Sequence, residues 1–539
     1  MDSYDTLRRT FSWNIPQAYN LGEALSDRQV EAGMGTAVIA IDREWREHRF
    51  SFHFLSDHSN KMANLLRHRG CREGDRVAVM LPQSIEAAVA HVAILKCGMI
   101  SLPLIPEYNP AVTERLRAAA ASAILTTAEL ADVHAKEWAD LPDLRTVVVV
   151  TGGASSKPGE ELQRLLSSCR SEFARAKTNA RDPATLSFTS GSEGAPKGVL
   201  HAHGLVHGIL PALLFTKMPT PQDVVWSHFD WGWLGGLLVA FGAWYCGSAV
   251  LVHHQPALTP RKTIDLLRQF NVSRVSIAPT ALKMLRQGTR SAEFPRLTSI
   301  TSGGEKLDPE LRQWVRDQFR IELSEIYGLT ECSAVMGSGY LVPPVIGALG
   351  KPAPGQDVQI LSSDGGKLAA GERGLIAVKR PHPAMFLRYW QDEVATAEKF
   401  TGSYLMTGDV GFQDEAGYFW YISRADDIIK SGGRRIGPSE IEDAFSACPA
   451  VKLCAAVGIP DALIGESISL WVQLAEGYVA SPEIEAEIVG GAKKVLASYQ
   501  IPHRIRFVDD LPCTSTGKVH RQAIKKSEIE LSTSHAVDG

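Results

Sequence analysis

The 539-residue chain lacks most of the features that would narrow its class at a glance. Its eight cysteines (71, 97, 169, 246, 332, 448, 454 and 513) are scattered without a C-x-x-C pair, which excludes a disulfide framework or a cysteine zinc site as the organising principle and fits a reducing compartment. No basic block is present. With 56 Lys+Arg against 60 Asp+Glu the formal charge is −4, so no nucleic acid is expected as a partner. No apolar run reaches bilayer length: "WGWLGGLLVAFGAWY" (231–245) is too short and is flanked by His and Asp, so it reads as a buried helix, and no stable membrane insertion is expected. The start has no apolar core of signal-peptide type and the end carries no peroxisomal or retention address, so the expected location is cytoplasmic. The histidines, including "HAH" at 201–203 and "HH" at 253–254, lack the Cys/Asp/Glu company of a metal site. Internal repeats and low-complexity segments are missing too, and nothing decides whether copies of the chain form a homo-oligomer.

What is present is an α/β pattern. The length exceeds what one core usually supports, so at least two domains are expected. From about residue 76 to 430, β-rich runs alternate with helical patterns: "RVAVMLP" with "SIEAAVAHVAILKCG", "SRVSIAP" with "TALKMLRQ", "RLTSITSGG" with "PELRQWVRDQF". Such alternation predicts mostly parallel sheets in a large N-terminal domain, with ligands at strand C-terminal ends, where "SFTSG", "TSGGE" and "EIYGLTE" fall. Near residue 424 the text changes to a charged turn, "RADD", a glycine-rich loop, "KSGGRRIGP", and a helix in which Ser439 and Glu442 have capping-box spacing. The remainder reads as a small α+β domain.

The most informative stretch is "LSFTSGSEGAPKGVL" (186–200), three glycines, hydroxyls and one lysine directly after an apolar run. Glycines let backbone N–H groups turn towards a multi-oxygen anion, Thr189, Ser190 and Ser192 add hydroxyl donors, and Lys197 adds a positive charge, so a polyphosphate is the expected ligand. A Walker loop is excluded, because Pro196 stands where its second glycine belongs and Gly198 follows the lysine. No G-x-G-x-x-G occurs.

This stretch resembles the T-S-G-T-T-G-x-P-K-G signature of the adenylate-forming superfamily, which includes acyl-CoA synthetases, peptide-synthetase adenylation domains and firefly luciferase; Glu193 departs from it. Further motifs follow in that superfamily's order: "SGGEKL" (302–307), "EIYGLTE" (325–331), "YLMTGDVG" (404–411), "SRADDIIKSGGRRIGPSEIE" (423–442) and "TSTGKVHR" (514–521). The resemblance implies an N-terminal adenylation and acyl-binding domain over 1–425 and a mobile C-terminal domain over 426–539. It implies ATP, Mg2+ and coenzyme A acting with a small carboxylic acid.

Residue roles follow from the same resemblance. Thr189, Ser190, Gly191, Ser192, Gly194 and Lys197 would hold phosphates; Thr330 and Glu331 would meet the α-phosphate, with Glu331 as metal ligand. Gly304, Glu305, Lys306 and Tyr327 would line the adenine site, Asp409 and Arg424 the ribose, and Arg435 a phosphate. Lys518 would be the catalytic lysine, offsetting the charge that gathers as carboxylate attacks the α-phosphate. Asp426 matches the hinge, and Gly432 and Gly433 the pantetheine channel. "HFDWGWLGG" (228–236) resembles the acyl-site segment of acetyl-, medium-chain- and aryl-CoA synthetases, which gives Trp233, Leu234 and Gly235 to the acyl pocket. Gly303 and Gly328 stand where acetate-specific relatives carry larger side chains, which points to medium-chain, branched or aromatic acids; Gly328 also admits a plain backbone role. Ser423 and Leu329 depart from the family pattern without removing a charged group. The leading expectation is an AMP-forming acyl-CoA ligase. The alternative is a stand-alone adenylation domain that loads an amino or aryl acid onto a carrier protein, with Asp230 pairing the ammonium.

Overall fold

The computed structural model describes residues 3–107, 110–151, 157–189, 196–253, 259–288, 294, 296–305, 307–461, 463–513 and 519–534. The chain divides into two compact units. The larger comprises the chain up to Thr189, Pro196–Val358 and Val378–Ser403; the smaller takes in Gln359–Ala377 and the chain from Tyr404 onward.

The larger unit holds two sheets of mostly parallel strands, as the alternating sequence requires. In the first, Thr36–Ile41, Ala249–His253, Val224–Ser227, Arg274–Ser276, Ser299–Gly303 and Leu323–Leu329 lie side by side, all parallel. Antiparallel Ser333–Ser338 then follows Leu323–Leu329 through a tight hairpin. In the second sheet Thr146–Thr151, Ala123–Thr127, Arg76–Met80, Ile100–Pro103 and Pro183–Phe188 are parallel, and Gly198–Ala202 and Arg388–Tyr389 close the edge antiparallel. One core joins strand residues of both sheets, Val38 and Val250 of the first and Val77 and Leu125 of the second, to helices Phe52–His68, Ile85–Lys96 and Leu234–Tyr245. Ile85–Lys96 is buried along its whole length, which is why its sequence is apolar nearly all round. Its one lysine, Lys96, is satisfied by Asp27 Oδ1 at 2.7 Å and Asn60 Oδ1 at 2.8 Å. The run 231–245 forms a buried helix over Leu234–Tyr245, and among the described residues no helix is long and apolar enough to cross a membrane.

The smaller unit contains the hairpin Tyr404–Gln413 with Phe419–Arg424, and a mixed sheet in which Val451–Asp461 and Gly465–Leu474 form a long antiparallel pair with Arg504–Phe507 parallel beside it. Ile441, Phe445, Ile468, Leu470 and Ile488 supply its core. The helix after the glycine-rich loop is Pro438–Ser446, with Gly437 as N-cap and no side-chain cap bond. The expected capping box of Ser439 and Glu442 does not form, because proline at the first helical position starts the helix and Arg521 takes the Glu442 carboxylate.

Burial in the larger unit pushes four imidazoles well down from their ordinary value: His91 to about 3, His201 to about 4, His203 to about 4 and His382 to about 3. Unfolded, the same rings take up a proton near pH ~6.5. Between those values the unfolded chain binds more protons, so stability is complete above about 6.5 and falls as pH drops towards about 4. Urea midpoints measured at pH 7.5 and pH 5 should therefore differ, with the lower value at pH 5; equal midpoints would show that these rings are protonated in the folded protein.

Candidate functional site

The phosphate-type loop joins the antiparallel strands Pro183–Phe188 and Gly198–Ala202, whose last pair is Phe188 with Gly198. Its base is set by Thr189 N–H donating to the Lys197 carbonyl at 3.0 Å. Ser190, Gly191, Ser192 and Gly194 lie outside the described residues, as do Lys306 and Lys518; of Arg435 only the backbone is described.

Thr330 and Glu331 sit at the turn of the hairpin that follows the last parallel strand, Leu323–Leu329, next to Ser299–Gly303. The turn is gripped from behind. His201 Nε2 lies 2.7 Å from the Thr330 carbonyl; the ring is neutral because it is fully buried, so Nε2 carries the hydrogen and donates. Phe386 N–H donates to the Glu331 carbonyl at 2.6 Å. The Glu331 side chain is almost buried; Tyr389 Oη donates to its Oε1 at 2.5 Å and Lys399 Nζ stands 3.8 Å from the same oxygen. Its Oε2 accepts no hydrogen bond from the described residues. The Lys197 ammonium lies 5.2 Å from the centre of the Tyr389 ring. Sequence reasoning missed Tyr389, Lys399 and His201. For His201 a signal existed, since a histidine inside an apolar strand with no metal partners reads as a buried hydrogen-bonding group.

Gly328 and Gly303 have a backbone explanation. A Cβ on Gly328 would fall 1.9 Å from the Ser333 carbonyl oxygen, and one on Gly303 would fall 2.3 Å from that of Ile326. Neither position accepts a side chain unless strands part. Gly235, in the first turn of Leu234–Tyr245, meets no described atom within 4 Å. The preceding Trp233 is the half-buried N-cap, Leu234 is buried, and Asp230 Oδ1 accepts from Gly232 N at 2.6 Å. Burial raises the Asp230 carboxyl above its ordinary value. Among the adenine-side residues, Tyr327 is half-buried, Gly304 has φ +84°, and Glu305 accepts from Thr280 Oγ1 at 2.6 Å.

In the smaller unit Asp409 and Arg424 are register partners across the hairpin, and Arg424 Nη1 reaches Asp409 Oδ1 at 3.2 Å. Gly408 makes room: a Cβ there would lie 3.0 Å from the guanidinium. Arg424 Nε also reaches Asp426 Oδ1 at 3.3 Å. The next residue, Asp427, is held by another arginine. Arg521 stands 3.6 Å from Asp427 and forks onto both oxygens of Glu442 at 2.8 and 2.7 Å. Burial, with the nearby charges of Asp426 and Glu442, pushes the Asp427 carboxyl up, and Arg521 counters it. Gly432 and Gly433 form the two-residue turn between Ile429–Ser431 and Arg434–Ile436, both with positive φ, as a hairpin of this length requires.

Comparison with known proteins places these features in context. The family profile described as AMP-binding enzyme matches residues 27–390, and that described as AMP-binding enzyme C-terminal domain matches 440–518. Acyl-coenzyme A synthetase ACSM3, mitochondrial, of Homo sapiens is 31% identical over 547 residues, covering 98% of this chain and 92% of that protein. The uncharacterized acyl--CoA ligase YtcI of Bacillus subtilis (strain 168) is 31% identical, covering 96% and 97%. The crystal structure of ATP-bound MatB from Rhodopseudomonas palustris superposes with a TM-score of 0.85 at 25% identity, covering 95% of this chain and 99% of that one.

Arg521 neutralises two mostly buried carboxylates at once. Arg521→Ala should cost about 3 kcal/mol, the usual result of stripping one partner from a buried pair. Glu442→Gln keeps an acceptor for the guanidinium and should cost less. Urea unfolding followed by tryptophan fluorescence checks the order; equal losses would mean that the Arg521 charge is immaterial.

Proposed function

The chain belongs to the AMP-binding enzyme family, and within it we propose that it is an AMP-forming acyl-CoA ligase. A carboxylate oxygen of the acid attacks the α-phosphorus of ATP, the bond to the bridging oxygen breaks, and pyrophosphate leaves. The CoA thiol then attacks the acyl carbon of the adenylate and AMP departs. The observation that supports this reading most is Glu331: a nearly buried carboxylate beyond the C-terminal end of a parallel strand, one oxygen tethered and the other without a described partner, with Lys399 beside it and Lys197 over the ring of its tether. That donor set suits Mg2+, a hard cation that takes carboxylate and phosphate oxygens and, when bound, offsets their charge.

The chain's own residues take the remaining roles in this proposal. Lys197 and the hydroxyls of its loop bind phosphates, Thr330 meets the α-phosphate, and Tyr327, Gly304 and Glu305 form the adenine side. Asp409 accepts from the ribose hydroxyls with Arg424 beside it. Lys518 stabilises the charge that develops during adenylation. Residues 426–539 turn about Asp426 for the second step, with Gly432 and Gly433 next to the pantetheine arm and Arg435 near phosphate. The acid is medium-chain, branched or aromatic, and its chain lies against Trp233, Leu234 and Gly235. Gly235 carries the specificity argument, because the backbone accounts for Gly303 and Gly328. The carrier-loading alternative leans on Asp230, whose Oδ1 is already used by Gly232. The eight free cysteines favour a reducing compartment, and the cytoplasm is the proposed location.

A carboxylic-acid panel scored for pyrophosphate release with and without CoA tests the reaction. Turnover with C6–C10 or benzoic-type acids that requires CoA is expected, and Lys518→Ala should lose adenylation while still converting a supplied acyl-adenylate. Amino-acid-dependent release that ignores CoA would instead favour carrier loading.

Two glycine variants separate pocket from backbone. Gly235→Val adds three carbons to open space and should lower kcat/KM for the longest acids about 10- to 200-fold relative to propionate. Gly328→Ala should lower every acid alike and reduce thermal stability, since the hairpin must open. The reverse pattern would return the acyl pocket to Gly328.

A further inference from the structure

In the proposed adenylation Glu331 supplies a carboxylate to the metal, yet that role does not by itself require the carboxylate to be tied down. Tyr389 ties it. The residue belongs to a two-residue strand, Arg388–Tyr389, laid on the edge of Gly198–Ala202, and backbone bonds on either side fix it there: Leu387 N–H donates to the Leu200 carbonyl and Trp390 N–H to that of Gly198, both at 2.7 Å. The side chain is 4% exposed, with the Phe386 ring 4.9 Å from its own at an interplanar angle of 61°. A phenol so held has little freedom. Its hydroxyl donates to Glu331 Oε1 at 2.5 Å, the short distance of a hydrogen bond to a charged acceptor. The same ring carries the Lys197 ammonium at 5.2 Å on its way out of the phosphate-type loop.

One tyrosine therefore touches the two groups expected to meet a metal triphosphate, and it touches them through different parts. The hydroxyl and Lys399 both engage Oε1, which leaves Oε2 as the oxygen free for a cation. Without the tether Glu331 would sample other rotamers, and ordering it on binding would weaken the interaction.

We propose that Tyr389 is a positioning residue: its hydroxyl fixes the Glu331 carboxylate with Oε2 presented to the cation of a metal–ATP complex, and its ring steadies the ammonium of Lys197. The proposal rests on the metal–ATP reading of Glu331. It differs from a packing role in separating the two parts of one side chain, since Tyr389→Phe removes only the hydroxyl and Tyr389→Leu removes the ring as well.

Calorimetric titration of the full chain with ATP, in the presence of Mg2+ and in the presence of EDTA, reads binding without turnover. Wild type should bind ATP more tightly with Mg2+ than without. Tyr389→Phe should lose about tenfold in affinity with Mg2+, the usual scale for a hydrogen bond to a charged group, while metal-free ATP binding stays within about twofold and the melting temperature is kept. Tyr389→Leu should weaken metal-free ATP binding too. A Tyr389→Phe protein that keeps the full Mg2+ gain, or that loses both affinities equally with a lowered melting temperature, overturns the positioning role. If wild type shows no Mg2+ gain, the metal–ATP reading of Glu331 fails first and this proposal falls with it.

Discussion

A carboxylate taken almost wholly out of water must be given partners, and much of the larger unit around Glu331 is arranged to supply them. The tether from Tyr389 exists only because a two-residue strand is added to the sheet edge beside the phosphate-type loop. The turn that carries Glu331 keeps its shape because His201, on the neighbouring strand of that same edge, donates to Thr330 while Phe386 donates to the Glu331 carbonyl. The hairpin can be that tight because residue 328 has no side chain, as the Ser333 oxygen leaves no room for one. The loop lysine, the acidic turn and the aromatic tether thus depend on two adjacent antiparallel strands ending a parallel sheet.

The smaller unit solves a similar problem with arginines. Arg424 lies between Asp409 and Asp426, and Arg521 between Asp427 and Glu442. Each guanidinium offers a planar fork of donors to two carboxylates, which a lysine could not match geometrically. Gly408 is part of the first arrangement, since a methyl group there would press on the Arg424 guanidinium. In the second, Glu442 also accepts from Ala456 N at 2.9 Å, so the clamp joins the helix Pro438–Ser446 to the long strand behind it.

The large-scale architecture was legible because it rests on periodicity. Strand and helix alternate in the text as they do in the fold, and the helix Pro309–Phe319 has the bounds its sequence suggests. Membership of the AMP-binding enzyme family was legible for another reason: glycine, lysine and acidic residues in fixed spacing form a pattern that few other chains carry. What could not be read were the partners brought in from afar. Tyr389 is 58 residues from Glu331, and Arg521 is 79 from Glu442; nothing in "FLRYW" or "KVHR" announces an appointment at that distance. Local rules failed where such a partner intervened. Ser439 and Glu442 have the spacing of a capping box, but the Arg521 guanidinium and the Ala456 N–H take the Glu442 carboxylate, which therefore does not turn back to the start of its own helix. The two glycines expected to deepen a pocket, Gly303 and Gly328, have a second explanation of a related kind, because the absence of a side chain can serve a neighbouring backbone as readily as a ligand.

Asp426 and Asp427 bring these arguments together. Adjacent in sequence, they are pinned to different arginines, one on the strand Phe419–Arg424 and the other on the helix Arg521–Ser534. Burial raises the Asp427 carboxyl, so it depends on its arginine more than an exposed acid would, and letting go of Arg521 would leave a charge stranded in a poor solvent. A turn at the backbone bonds joining the two aspartates, as in the proposed rotation about Asp426, would keep both ion pairs. A turn one residue later would have to pull Asp427 from Arg521, and one placed two residues earlier would have to pull Asp426 from Arg424. Few-residue hinges absorb large dihedral changes where the flanking segments are each rigid, and for the proposed rotation the arginine ion pairs on either side would supply that rigidity.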